Sequence, residues 1–174
     1  WWNNENSGTE RWSGLFNCIF SCNEALKYLE DPTLETDYED TQRNQMIAQA
    51  YALRAYCYLQ LIKRWGGVPI IREALERDHD YSKDKRASFA QCVDFIIESC
   101  DKALAADDAL QWSQRLLSYS NPELSRAAIW AVKSQAVLYA ASPLWADDYA
   151  GTEKYTWARA AEITKQALDL STGH

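Results

Sequence analysis

Glycine and proline are scarce in this chain of 174 residues, which contains 6 Gly and 4 Pro. The scarcity disfavours a β-sandwich or β-barrel, because those folds need many tight turns.

Positively charged residues are also few, since the chain has 18 Lys and Arg and 25 Asp and Glu, for a formal net charge of -7. A nucleic-acid surface needs a surplus of cations to contact phosphate, so the composition argues against nucleic acid as a partner.

Membrane spans and targeting signals are missing as well. No apolar run approaches the roughly 20 residues that cross a bilayer, and no signal-peptide pattern is present. The sequence opens on Trp1 rather than Met. We therefore expect a mature product or a fragment, with residues 1–174 forming a single domain or part of one.

The sequence contains no motif of an enzyme or a metal site. It lacks Gly-x-Ser-x-Gly, His-Glu-x-x-His and a phosphate-binding glycine loop. The adjacent carboxylates Asp107-Asp108 and Asp147-Asp148 lie in predicted loops, where neighbouring side chains rarely point together. We therefore expect no catalytic residue, no metal and no cofactor; an α-helical glycosidase with two carboxylates across a cleft is an alternative.

Cysteine numbers five, and no two of these residues form a CxxC pair. A zinc or thioredoxin-like site is therefore not expected. Each cysteine falls inside a helical pattern, which favours small, buried, apolar residues. They are Cys18, Cys22, Cys57, Cys92 and Cys100.

Apolar residues recur at three- and four-residue steps through most of the chain, which is the period of an amphipathic helix. The pattern predicts helices over residues 10–30, 41–65, 88–105, 124–141 and 156–170. Pro32, Gly66 and Pro143 mark ends, and Ser88 and Thr156 are candidate N-caps.

The apolar stripes predict which side chains are buried. Leu53 and Ile96 lie on them, so replacing either with Ala should cost about 2–5 kcal/mol. Trp157 and Leu168 are expected to face inward from the last helix. Arg54 is expected to be a buried guanidinium paired with a carboxylate or with helix-end carbonyls.

The helices pair as 41–65 with 88–105 and as 124–141 with 156–170. Small residues at crossing points and an Ala-Leu near the end of each second helix are typical of tetratricopeptide repeats. The fold class predicted is all-α, an irregular superhelix of tetratricopeptide-like antiparallel helix pairs with long ordered loops; a generic helical bundle is the alternative.

A longer motif follows the second predicted helix into the loop after it. Residues 48–71 read AQAYALRAYCYLQLIKRWGGVPII. This stretch resembles the hallmark of the SusD/RagB family, and further landmarks agree in order: Asn23-Glu24-Ala25-Leu26, Arg86-Ala87-Ser88 and the Ala-rich helix before Pro143. The chain resembles the central, tetratricopeptide-like part of such a protein.

The resemblance implies a function. Family members are outward-facing outer-membrane lipoproteins that capture glycans, or in some cases peptides. They pass the ligand to a TonB-dependent, SusC-like transporter and are not enzymes. Any attachment to the membrane is expected through an N-terminal lipid that this chain does not carry. A tetratricopeptide-type adaptor that holds a protein segment is the alternative.

Sugar binding needs flat aromatic faces with nearby amides or carboxylates that bond to hydroxyls. Three clusters outside the helical stripes have this chemistry, although a single aromatic residue more often packs than binds. The candidate ligand-binding residues are Trp1, Trp2, Asn3 and Asn4; Trp112 and Tyr119; and Trp145 and Tyr149.

Overall fold

The computed structural model describes residues 9–33, 38–76, 78–106, 124–145 and 154–172. Within these ranges the chain forms five α-helices, one 3₁₀ turn before the third helix, another at residues 143–145, and no β-strand. The helices are α1 (Thr9–Leu29), α2 (Asp40–Trp65), α3 (Phe89–Ala106), α4 (Arg126–Ala140) and α5 (Trp157–Thr172), with the first 3₁₀ turn at Tyr81–Lys83. The all-α prediction is confirmed, and the helix ends agree with the predicted ones within about two residues.

The predicted N-caps are present. The Ser88 hydroxyl accepts a hydrogen bond from the Gln91 backbone N–H at 3.1 Å, and the Gln91 side chain accepts one from the Ser88 N–H at 2.9 Å. This reciprocal pair satisfies two backbone donors that the first turn of α3 leaves free. At the start of α5, the Thr156 hydroxyl accepts from the Arg159 N–H at 3.2 Å.

Helix α2 ends at a pair of glycines, as the sequence predicts. Gly66 has φ +69°, a conformation that L side chains rarely adopt, and its N–H bonds to the Ile62 carbonyl at 3.0 Å. At Gly67 a Cβ atom would lie 2.0 Å from the backbone oxygen of Ala87. The second glycine is therefore required because the chain that enters α3 passes directly against it.

Each helix packs against its neighbour in sequence. Contacts join α1 to α2, α2 to α3, α3 to α4 and α4 to α5, and α2 also reaches α4. The ring of Trp12, near the start of α1, lies 5.1 Å from that of Trp65, at the end of α2, so these two helices run antiparallel. This is the packing of tetratricopeptide-like pairs. The largest fully buried side chains are Tyr58, Phe89, Phe95, Ile19, Leu59, Leu61, Ile62, Ile96, Ile129, Val68, Val93 and Val137.

Burial was predicted wrongly at Leu53, which is 39% exposed. Helix α2 contacts α1, α3 and α4, so nearly its whole circumference is covered. After its exposed first turns, at residues 46–65, only a narrow stripe through Leu53, Tyr56 and Arg64 faces outward. A helix surrounded in this way has no single apolar face from which its orientation can be deduced.

Burial was also predicted wrongly at two residues of the outer helix α5. Trp157 and Leu168 were predicted to face inward but are 56% and 61% exposed. Among the described residues α5 contacts only α4. It therefore buries a narrow stripe of Ala160 and Ile163, with Ala167 partly covered, rather than a broad face.

The cysteines behave largely as packing residues. Cys22, Cys57, Cys92 and Cys100 are buried and Cys18 is partly exposed, and all five are free thiols. Burial raises the pKa of Cys22 and of Cys100 to about 12. These two thiols are therefore neutral and unreactive at ordinary pH.

Candidate functional site

Most of the sequence-predicted ligand residues lie outside the described part of the chain: Trp1, Trp2, Asn3, Asn4, Trp112, Tyr119 and Tyr149. Trp145 is described, and its ring stacks on that of Phe89 with centroids 3.9 Å apart and planes 6° from parallel. The edge of the same indole lies against Gly66. One face of Trp145 is thus covered by the core, and its ligand role stays a prediction.

Arg54 is the centre of a buried hydrogen-bond network. It is 3% exposed, so the expected burial is confirmed. Its guanidinium donates to the Asn23 side-chain oxygen at 2.8 Å, to the Arg72 carbonyl at 3.2 Å and to the Ser99 hydroxyl at 3.2 Å. None of the described carboxylates forms an ion pair with it; of the two kinds of partner expected, the structure has a backbone carbonyl, that of Arg72, which lies beyond the end of α2 rather than in a helix end. The partners are neutral, and its charge also faces the rings of Tyr51 and Phe95, each 4.8 Å away.

Asn23 and Tyr58 connect this network to the segment that follows the glycine pair. The Asn23 amide donates to the carbonyls of Ile71 at 3.0 Å and Glu73 at 3.1 Å. The Tyr58 hydroxyl accepts from the Ile71 N–H at 2.8 Å. Burial lowers the pKa of Arg54, yet an arginine stays charged at neutral pH. The network therefore fixes residues 69–73 on α1, α2 and α3.

A polar cleft of about 490 Å³ opens over this network, and Asn23, Arg54 and Arg72 are among its lining residues. Five of its charged residues form ion pairs: Glu98 contacts Arg72 at 2.9 Å and Lys102 at 3.1 Å, and Lys27 lies 3.5 Å from Glu76. The hydrogen bond from Arg72 lowers the pKa of Glu98. A carboxylate held ionised in this way is unsuited to act as the general acid of a glycosidase.

A second concavity, the aromatic groove, has the chemistry of a sugar site. It has a volume of about 350 Å³ and lies between α1 and the segments that carry Pro69 and Tyr81. Aromatic rings from α1 form one wall, and polar side chains stand beside them. The lining residues are Trp12, Ser13, Phe16, Asn17, Phe20, Pro69, Ile71, Tyr81 and Asp84.

The Tyr81 side of the groove is held by short-range contacts. His79 bonds to the Asp84 carboxylate at 2.9 Å, and its ring meets the Tyr81 ring edge-on at 5.0 Å. The Asp80 carboxylate accepts from the Ser82 N–H at 3.1 Å and caps the 3₁₀ turn. Tyr81 remains 61% exposed, so its ring is free to contact a ligand.

Sequence reasoning missed this groove because the rings of Trp12, Phe16 and Phe20 follow helical spacing and were assigned wholly to the core. Of the three, only Phe16 is buried, and Trp12 and Phe20 are partly exposed. The signal that points to a groove is a pair of polar residues one turn apart, Ser13 and Asn17, each of which directly follows an aromatic residue in the sequence. Tyr81 lies far along the chain, and only the fold brings it to the same surface.

Two kinds of structure are absent from the described ranges. No group of three or more His, Cys, Asp and Glu side chains is placed to hold a metal ion there. Across the same residues, none of the helices combines the length and the apolar character needed to traverse a bilayer.

Comparison with known proteins gives the class. The family model described as SusD-like, starch-binding and associating with the outer membrane matches residues 1–138. A SusD-like protein of Formosa agariphila is 31% identical over 99 residues, which are 56% of this chain and 18% of that protein.

Solved structures agree on the fold. The structure named BT4246 superposes with a TM-score of 0.77 at 27% sequence identity. The match covers 92% of this chain and 30% of the BT4246 chain. Surface glycan-binding protein A from Bacteroides thetaiotaomicron, solved in complex with laminarihexaose, superposes with a TM-score of 0.62 at 18% sequence identity. The match covers 90% of this chain and 28% of that protein's chain.

The tetratricopeptide-like helix array is therefore of the SusD type. The chain belongs to the SusD-like family of starch-binding proteins that associate with the outer membrane. It spans less than a third of the length of BT4246 and less than a fifth of that of the Formosa relative.

Proposed function

We propose that this chain is part of a non-catalytic, cell-surface protein that binds oligosaccharide and delivers it to a TonB-dependent, SusC-like outer-membrane transporter. The observation that carries the proposal is the match of residues 1–138 to a starch-binding family associated with the outer membrane. An outward-facing position and a lipid anchor on the whole protein belong to the same proposal.

The aromatic groove supplies a means of binding. The exposed Tyr81 ring and the partly exposed Trp12 ring offer flat faces on which the C–H face of a sugar stacks. Asn17 and Asp84 stand beside them and provide an amide and a carboxylate for sugar hydroxyls. No step of bond cleavage is needed, because capture and delivery require only reversible contacts.

The test is affinity electrophoresis in gels that contain starch or laminarin, followed by calorimetric titration with maltohexaose and laminarihexaose. Tyr81→Ala should weaken binding by about 3- to 10-fold, because it removes one stacking face. Tyr28→Ala is the matched control, since Tyr28 is 47% exposed on α1 and lies outside the groove.

The outcomes separate the site from the function. Equal binding by both variants and the parent protein would remove the aromatic groove as the site but not the function. Unaltered mobility in every polysaccharide would overturn the function. Hydrolysis of either hexasaccharide would contradict the non-catalytic proposal, and failure of the full-length protein to crosslink to a TonB-dependent transporter in cells would contradict the delivery step.

A further inference from the structure

We propose that a separate groove on the outer side of α1 and α2 binds a sugar that carries an oxyanion, either a carboxylate or a sulfate ester. The inference rests on the proposed function, because it names a class of glycan for the same protein. We call this surface the arginine groove. It has a volume of about 340 Å³ and is lined by Arg11, Gly14, Leu15, Tyr56, Gln60 and Arg64.

Helical spacing brings these residues together. Arg11, Gly14 and Leu15 lie on one side of α1, at steps of three and four residues. Tyr56 and Arg64, two turns apart, belong to the outward stripe of α2. Because α1 and α2 are antiparallel, with Trp12 against Trp65, the Arg11 end of one helix adjoins the Arg64 end of the other.

The groove is positively charged in an acidic protein. It carries two guanidinium groups, and none of the described carboxylates lines it, although the chain has a formal net charge of -7. Arg11 is exposed and makes neither an ion pair nor a hydrogen bond to any described residue.

Arg64 is partly held in place. Its Nη1 donates to the Gln60 backbone oxygen at 2.9 Å and to the Gln60 side-chain oxygen at 3.0 Å. Its Nε and Nη2 bond to none of the described residues, so they remain available to a ligand. The planar donor fork of a guanidinium matches the geometry of a carboxylate or a sulfate.

Gly14 is the independent observation that points to an external ligand. Glycine inside a helix lowers stability relative to alanine, so a structural reason is expected. Here a Cβ atom would meet nothing within 4 Å, and among the described glycines the positive φ is at Gly66. Neither packing nor backbone conformation within the described chain requires this glycine. It leaves bare backbone at the floor of the groove, where a ligand can approach closely.

The remaining lining suits a sugar better than a protein segment. Tyr56 is 43% exposed and offers a ring face, and Gln60 adds an amide. On α2 the groove runs from residue 56 to residue 64, or about 12 Å along the helix. A stable protein interface buries about 800 Å² on each partner, which so short a groove cannot supply alone.

The test is calorimetric titration of the full chain with tetragalacturonate, with a sulfated galactan oligosaccharide and with neutral laminarihexaose. Arg11→Gln combined with Arg64→Gln should weaken binding of one or both acidic sugars by about tenfold or more and change laminarihexaose binding less than about twofold. The control is Arg86→Gln with Arg159→Gln, which removes the same charge from exposed positions outside the groove.

Gly14→Ala is the second variant. It should weaken acidic-sugar binding by about threefold or more by placing a methyl group on the floor, while circular dichroism shows unchanged helix content. The tetragalacturonate and sulfated-galactan titrations identify which oxyanion is preferred, and either result supports the groove.

Other outcomes overturn the inference. Equal loss in the control pair would show non-specific attraction of polyanions. Binding of poly-glutamate that depends on Arg11 and Arg64, with no acidic sugar bound, would make the groove a peptide site. Binding of laminarihexaose alone would refute the arginine groove and leave the proposed function standing, whereas failure to bind any glycan would remove both.

Discussion

The side-chain oxygen of Asn23 on α1 accepts a hydrogen bond of 2.8 Å from the guanidinium of Arg54 on α2, and both residues are buried. The amide of the same Asn23 bonds to two carbonyls of the segment after α2. One small side chain thus accepts from a buried cation and donates to two backbone carbonyls, one buried and one partly buried. The interaction joins parts of the chain that are about 50 residues apart.

Replacing Asn23 with Leu should lower the free energy of unfolding by about 2–4 kcal/mol, because it leaves one buried donor and two acceptors unsatisfied. Urea denaturation followed by circular dichroism measures the change. Asn44→Leu is the control, since Asn44 is exposed on α2, and its effect should stay within about 0.5 kcal/mol. Equal effects of the two variants would mean that the network does not stabilise the fold.

Ile96 and Leu53 should respond differently to truncation. Ile96 is 0% exposed, so Ile96→Ala should cost about 2–5 kcal/mol through lost burial and a cavity. Leu53 is 39% exposed, and Leu53→Ala should cost less than about 1 kcal/mol. Chemical denaturation of both variants measures these changes, and a loss at Leu53 as large as that at Ile96 would contradict the exposed position of Leu53.

The contrast between Ile96 and Leu53 shows how far the sequence determines the fold. Helical period, N-caps and the glycine pair are local signals, and they placed all five helices correctly. Which side of α2 faces outward depends on three neighbouring helices, so periodicity alone misassigned Leu53. The aromatic groove also depends on tertiary contacts, because Pro69 and Tyr81, which follow α2 in the sequence, line it together with residues of α1.

Two glycines in different surroundings should give opposite results. Gly67→Ala should destabilise by about 1–3 kcal/mol, because a Cβ atom would lie 2.0 Å from the Ala87 carbonyl oxygen. Gly14→Ala meets nothing within 4 Å and should stabilise α1 by about 0.5–1 kcal/mol. Thermal and urea unfolding of the two variants provide the comparison, and stabilisation by Gly67→Ala would contradict the close passage of the chain into α3.

Tyr51 should make the protein sensitive to alkali. Burial, with the hydrogen bond to Glu30, raises the pKa of Tyr51 from 10.0 to about 12. The folded state therefore holds the phenolic proton more tightly than the unfolded state. The resulting stability is complete below pH 10.0 and is lost as the pH rises toward about 12.

The measurement is the free energy of unfolding between about pH 9 and about pH 11, where the unfolded phenol ionises first. Tyr51→Phe should show a shallower decline than the parent protein. Buried Cys22 and Tyr58 also have raised pKa values but are common to both proteins, so the difference isolates Tyr51. Tyr28→Phe, at an exposed position, should retain the parental slope; a matching slope for Tyr51→Phe would refute the assignment.

The order of helix packing has a consequence for motion. Since α5 rests on α4 alone among the described helices, it can detach without exposing the interior between α1, α2 and α3. Its amide protons should exchange with deuterated solvent sooner than those of α2, which three helices enclose. The array would then open first at α5, whereas α1, which carries part of both proposed grooves, is tied to α2 and, through Asn23, to the segment that follows α2.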